Sequence, residues 1–224
     1  LVVLDEFQEI APIDGADAII RSKIQHHTDR VSYLFQGSEE SILLGLFDHG
    51  DRPLFGQPER FRLAPFDPTD LAEFVAARFR ATRRSITTAG LERYIAATGG
   101  HPQRAMRLAD AIWQRTPERG QADVADVDAA LAAAIDEASV GFADLWGALD
   151  HYERWVLGLI VDDLSIFGPQ ADAIGLGQGT ARGAVDRLRR KRILREDTSY
   201  AKPALAIIDP FFAIWLHRTA SARS

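Results

Sequence analysis

Leu1-Val-Val-Leu-Asp-Glu-Phe-Gln8 is the stretch on which the fold turns. Four apolar residues stop at two adjacent acids. A run of that length bounded by charge reads as a short strand buried on both faces, as in a parallel sheet, ending where the chain meets solvent. Residues 31–36 (Val-Ser-Tyr-Leu-Phe-Gln) read as a second strand, stopped by Gly37-Ser38. Residues 61–66 read as a third, closed by Pro65 and Pro68. Helical spacing lies between them at 16–27 and 39–47, where Ile42, Leu43, Leu46 and Phe47 share one face. Strands alternating with helices predict α/β structure with a parallel sheet over residues 1–66.

From Asp67 onward the period is helical. Asp67-Pro68-Thr69-Asp70 is a helix start, a capping acid followed by Pro in the first turn. Helices are predicted from there, at 88–97 up to Gly99-Gly100, at 102–114, and at 124–139. Thr-Pro-Glu-Arg-Gly-Gln at 116–121 reads as a linker-like break. This all-α stretch spans 67–148. Residues 149–224 change rhythm: helices at 155–164, 169–174 and 179–193, then two short runs, 193–195 and 205–208, around a polar turn. Helix, helix, basic helix and hairpin is the order of a winged helix-turn-helix.

Composition narrows the classes. The 224 residues are 46% hydrophobic and 26% charged, ordinary for a globular chain. No run of 18 apolar residues occurs, so no membrane-spanning helix and no membrane partner is expected. The absence of Cys excludes disulfides and thiol chemistry and agrees with a reducing, cytoplasmic setting. The net charge of −6 is uneven. Residues 150–224 carry 11 Lys/Arg against 9 Asp/Glu, leaving −8 on the rest. Arg182, Arg187, Arg189, Arg190, Lys191 and Arg192 crowd one short window, a patch suited to a phosphate backbone or an acidic protein surface. His26 and His27 are adjacent, about 100° apart on a helix, and cannot easily chelate one ion. The other histidines are scattered, and no metal or Ser-His-Asp case arises.

Five segments together resemble the AAA+/STAND-type prokaryotic ATPases, the archaeal-ATPase-like group with a C-terminal winged helix. They are residues 1–8, Phe-Gln-Gly-Ser-Glu-Glu-Ser at 35–41, Pro-Leu-Phe-Gly-Gln at 53–57, Gly-Gly-His-Pro-Gln-Arg at 99–104, and Ile-Asp-Pro-Phe-Phe-Ala-Ile-Trp at 208–215. The resemblance implies a partial P-loop NTPase core over 1–66, a helical lid over 67–148 and a winged helix over 149–224. It implies ATP and Mg²⁺ as ligands of the parent protein. Asp5 would hold Mg²⁺, and Glu6 would orient and polarise the attacking water. Ser38 would stand at the sensor position near the γ-phosphate. Pro102 would pack near adenine and Arg104 would contact phosphate, although Gln103 stands nearer the family's usual arginine position. The same Gly-Gly-His-Pro run also fits a plain glycine C-cap followed by Pro at a helix start.

Two departures shape the expectation. No Gly-x-x-x-x-Gly-Lys-Ser/Thr loop occurs in the sequence, and Gln57 stands where many relatives have Arg, with Arg60 and Arg62 nearby. The chain is therefore expected to be the C-terminal portion of an ATPase, starting at the acidic strand and inactive alone. Without the phosphate-loop strand, residues 61–66 should stand apart from 31–36 or slide beside it. Two other functions stay open: a non-enzymatic DNA-binding regulator acting through Arg182, Arg187, Arg189 and Arg190 on duplex DNA, and an adaptor for a protein partner or intramolecular domain.

Overall fold

The computed structural model describes residues 1–27, 30–37, 40–61, 63–197 and 204–221. It divides into two compact units, Leu1–Leu63 and Ala64–Ser224.

In the first unit, β1 (Val2–Leu4) pairs in parallel with β2 (Tyr33–Phe35), Val3 opposite Leu34. Helix α1 (Ala16–Ile24) connects them, and α2 (Glu40–Asp48) follows β2. The unit closes on a small core of Phe7, Leu46, Phe47 and Leu54, with Leu4, Ile20, Phe35 and Leu43 packed against it. Val2 and Val3 remain 38% and 50% exposed, so β1 is not the doubly buried strand its composition predicts. The core is built instead from Phe7 and α2, beyond the strand's end. Of the third strand expected at 61–66, the described residues 61 and 63–66 form none. Phe61 and Leu63 are exposed, Pro65 has no N–H to give a ladder, and the N–H of Phe66 donates to the carbonyl of Gly100 at 2.9 Å.

The second unit is helical. Asp67 caps α3 (Pro68–Ala81), its carboxylate accepting from the N–H groups of Thr69 and Asp70, and Leu71, Val75 and Phe79 are buried at four-residue spacing. Next come α4 (Thr88–Thr98), α5 (Pro102–Arg115) and α6 (Val124–Gly147). Two short strands, β3 (Ser85–Ile86) and β4 (Gln121–Ala122), pair in parallel and fix the starts of α4 and α6. The stretch at 116–121 is accordingly no free linker. Thr116 is buried, Arg84 Nε donates to its carbonyl at 2.6 Å, and the N–H of Arg119 donates to the Arg83 carbonyl. Helix α6 starts with a capping box of Asp123 and Asp126 and continues through Gly141 to Gly147, past the end its Ala-rich stretch predicts. Buried Phe142 holds that extension.

Helices α7 (His151–Val161), α8 (Pro169–Ala173) and α9 (Gln178–Arg190) follow. An antiparallel pair, β5 (Leu194–Asp197) with β6 (Ala204–Ile207), leads into α10 (Pro210–Ser221). Ala181, Ala184, Val185 and Leu188 form the buried face of α9, the face its periodicity predicts. One continuous hydrophobic core runs from Leu71 through Phe142 to Phe211, Phe212 and Leu216. The residues on either side of position 148 therefore share a single interior. Among the described residues, no helix is long and apolar enough to cross a membrane.

Candidate functional site

The acids at the tip of β1 stand outside the ladder. The N–H of Gln36 donates to the Leu4 carbonyl at 2.9 Å, and the N–H of Phe7 donates to the Gln36 carbonyl at 2.8 Å. Residues 5 and 6 lie between these two bonds and are pushed out to the surface, both exposed. Glu6 adopts φ 48 and ψ 40, left-handed space that a residue with a Cβ enters at a cost. The Asp5 carboxylate accepts the Glu6 N–H at 2.9 Å and stabilises that turn. Phe7 then anchors the bend, its ring 4.5 Å from that of Phe35 and 5.8 Å from that of Phe47.

Behind the acids lies Gln8, only 4% exposed. Its Nε2 donates to the Glu6 carboxylate, while its Oε1 is buried with no hydrogen-bond partner. Gly37, just past β2, faces that amide, and a Cβ there would overlap it. Ser38, the expected sensor, lies outside the described residues, as does Arg62. Arg60 forms an ion pair with Asp48. Among the described residues no cluster of three or more His, Asp or Glu could hold a metal ion. Asp5 and Glu6 are two exposed carboxylates at the strand tip, too few to hold Mg²⁺ without ligands from elsewhere.

The other expected nucleotide contacts belong to the second unit. Gly99 (φ 53) ends α4 in left-handed geometry, and Gly100 (φ 70) brings its backbone so close that a Cβ would sit 2.5 Å from the Phe66 carbonyl oxygen. His101 caps α5 through Nδ1, and Pro102 occupies the first turn. Arg104, one turn in, is engaged: its Nε and Nη2 donate to the two carboxylate oxygens of Asp209 at 2.9 and 2.5 Å. Its guanidinium also lies 5.6 Å from the Phe142 ring centre and 5.1 Å from that of Phe211. Asp209 in turn caps α10, accepting the Phe211 N–H at 3.0 Å. Sequence reading left Asp209 without a role, yet Asp-Pro at 209–210 repeats the Asp67-Pro68 capping signal.

The basic helix α9 is largely neutralised by its own neighbours. Arg187 Nη2 donates to Asp150 at 2.9 Å, and Lys191 Nζ donates to Glu153 at 2.7 Å. Arg187 Nε stands 3.4 Å from Glu153 Oε1, an ion pair without hydrogen-bond alignment. Arg189 pairs with Glu196 of β5 at 2.6 Å, and Arg182 lies over the Phe167 ring. Glu153 is fully buried, and its backbone N–H completes a capping box with Asp150. The spacing of Asp150 and Glu153 is a readable capping signal for the start of α7, while their pairing with α9 is a tertiary contact.

Desolvation pushes the Asp150 carboxyl up, but the Glu153 backbone N–H and the Arg187 charge and hydrogen bond outweigh it, so the group lies below the usual carboxylate range. A depressed carboxylate stabilises the fold above its unfolded pKa, and that contribution fades as pH falls through the folded one. Arg187→Ala should therefore lower the melting temperature at neutral pH. The gap to the parent chain should narrow as pH falls below about 4, read by thermal scans across pH.

No protein-family model matches the chain, and no curated protein matches it. Among solved structures, the Walker-type ATPase PABY2304 of Pyrococcus abyssi superposes with a TM-score of 0.65 at 17% identity. The match covers 96% of this chain and 62% of that one. The chain thus shares its fold with that Walker-type ATPase and spans less than two thirds of its length.

Proposed function

We propose that this chain is part of an ATP-binding, ATP-hydrolysing switch of the AAA+/STAND kind. In this reading Asp5 holds Mg²⁺ and Glu6 orients the attacking water. Ser38 senses the γ-phosphate, and Pro102 flanks the adenine. Mg²⁺ held there would neutralise charge on the phosphates. Residues 1–224 contain no Gly-x-x-x-x-Gly-Lys-Ser/Thr loop to grip those phosphates, so phosphate release by residues 1–224 alone should stay at background. The observation that carries the reading is the pair of acids displaced from the ladder at the carboxyl tip of a parallel strand, where ligands bind in open α/β sheets. The likeness of fold to a Walker-type ATPase supports it.

The C-terminal residues 149–224 are read as a winged helix whose packing responds to nucleotide. An arginine gripped by Asp209 reaches a phosphate only by exchanging one anion for another. Arg104 is therefore proposed as the link between nucleotide and the start of α10. The internal pairing of Arg187, Arg189 and Lys191 favours an intramolecular or protein-partner role for α9 over reading of duplex DNA.

In the full-length protein, Glu6→Gln should leave ATP binding intact and lower turnover by about 100-fold or more, measured by equilibrium binding and phosphate release. Turnover at the parental rate would sink the assignment.

A further inference from the structure

Gln8 is a buried side chain that hydrogen-bonds the Glu6 carboxylate, and its surroundings are costly. A buried amide oxygen without a hydrogen-bond partner destabilises a fold. The orientation is nonetheless the one chemistry requires. Turning the amide over would set its oxygen against the Glu6 carboxylate, two acceptors facing each other, so the N–H must face the acid. The chain further reserves space for this side chain. Gly37 has no Cβ to collide with the Gln8 amide, and its backbone is not in the left-handed region, so space rather than conformation calls for glycine. Glu6 itself is an exposed acid on a strained backbone, and the buried Gln8 amide restricts the rotamers its carboxylate can take.

We propose that Gln8 is a positioning residue: it holds the Glu6 carboxylate in one orientation at the strand tip, and the fold accepts an unpartnered Oε1 to do so. The inference rests on the reading of Glu6 as the water-orienting acid. It assigns Gln8 no contact with water, metal or nucleotide.

Gln8→Met keeps the length and volume of the side chain while removing both the donor to Glu6 and the orphaned oxygen. In residues 1–224 it should leave the melting temperature unchanged or higher. In the full-length protein it should lower kcat by about 10–100-fold, as losing a supporting hydrogen bond typically does, with KM for ATP nearly unchanged. Gly37→Ala should act through the same side chain. Combined with Gln8→Met it should give no further loss in kcat, a non-additivity that marks a shared path.

A clear drop in melting temperature for Gln8→Met would make Gln8 structural and overturn the inference. Parental kcat in Gln8→Met, with Glu6→Gln inactive, would overturn it while leaving the ATPase reading in place. Parental turnover in Glu6→Gln would instead remove that reading first.

Discussion

Replacing Arg187 and Lys191 together by Ala should destabilise residues 1–224 by about 3 kcal/mol, the scale on which a buried charge stripped of its partners is felt. Glu153 has no solvent exposure, and its two cationic partners both come from α9 or its end. Both partners are themselves around 40% exposed, so water softens the loss toward the lower end of that scale. The Asp150 N–H still donates to Glu153 at 2.9 Å, but one neutral donor does not balance a full charge. A third substitution identifies the cause. Adding Glu153→Gln removes the stranded charge and keeps an amide oxygen for the Asp150 N–H, so the triple variant should recover most of the lost stability. Urea midpoints at neutral pH measure all three. If the double variant unfolds within about 0.5 kcal/mol of the parent, as an ordinary surface change would, Glu153 does not depend on α9.

The same result bears on nucleic-acid binding. A fall in DNA affinity on losing Arg187, Arg189 and Arg190 together would partly report a damaged fold, because Arg187 holds α7 against α9. Arg182 and Arg190 are the better probes, since neither pairs with a carboxylate in α7 or β5. A phosphate-contacting role for them would show as a flatter salt dependence of binding on their replacement.

Much of the architecture was legible in the sequence, for reasons that can be named. Asp67-Pro68 and the four-residue spacing of Leu71, Val75 and Phe79 define α3 without any tertiary information. Ala181, Ala184, Val185 and Leu188 do the same for the inner face of α9. What failed depended on partners distant in the chain. Residues 61–66 have strand composition, but a strand needs a ladder, and here Pro65 and the bond from Phe66 to Gly100 take its hydrogen bonding elsewhere. The pairs at 85–86 and 121–122 are too short for any period to register, so the stretch between α5 and α6 read as a linker when it is tied at both ends. Val2 and Val3 read as core, yet the unit's interior is built by Phe7 and α2.

The site shows the same division. The exposed turn at Asp5 and Glu6 was readable because two acids after an apolar run mark a strand's end. Gln8 and Asp209 sat inside motifs already singled out, but their roles depend on contacts: one with the Glu6 carboxylate, the other across 105 positions with Arg104. Charge counting likewise showed six cations around α9 without revealing the carboxylates of Asp150, Glu153 and Glu196 that face them.

Asp209→Ala should cost about 4 kcal/mol, because one side chain performs two jobs. It grips Arg104 through both carboxylate oxygens, and that guanidinium is only 14% exposed. It also caps α10, whose first buried residues, Phe211 and Phe212, pack against the core beside Phe142. Loss of the carboxylate leaves a largely buried cation facing only aromatic rings, whose attraction offsets part of the deficit. Asp209→Asn separates the jobs. Asn is as good a cap as Asp but offers one acceptor and no charge, so its cost should be under half that of Ala. Arg104→Lys should fall between parent and Arg104→Ala, since a lysine matches the charge and not the two-pronged geometry. The shape of the unfolding curve carries further information. Helices on both sides of residue 148 share one core, so Asp209→Ala should still unfold residues 64–224 in a single transition at a lower urea midpoint. Two transitions would instead show that Arg104 and Asp209, not the shared core, join α10 to the helices before it. In that case a phosphate competing for Arg104 would free the C-terminal helix directly, and added ATP should weaken α10's protection from hydrogen exchange in the full-length protein.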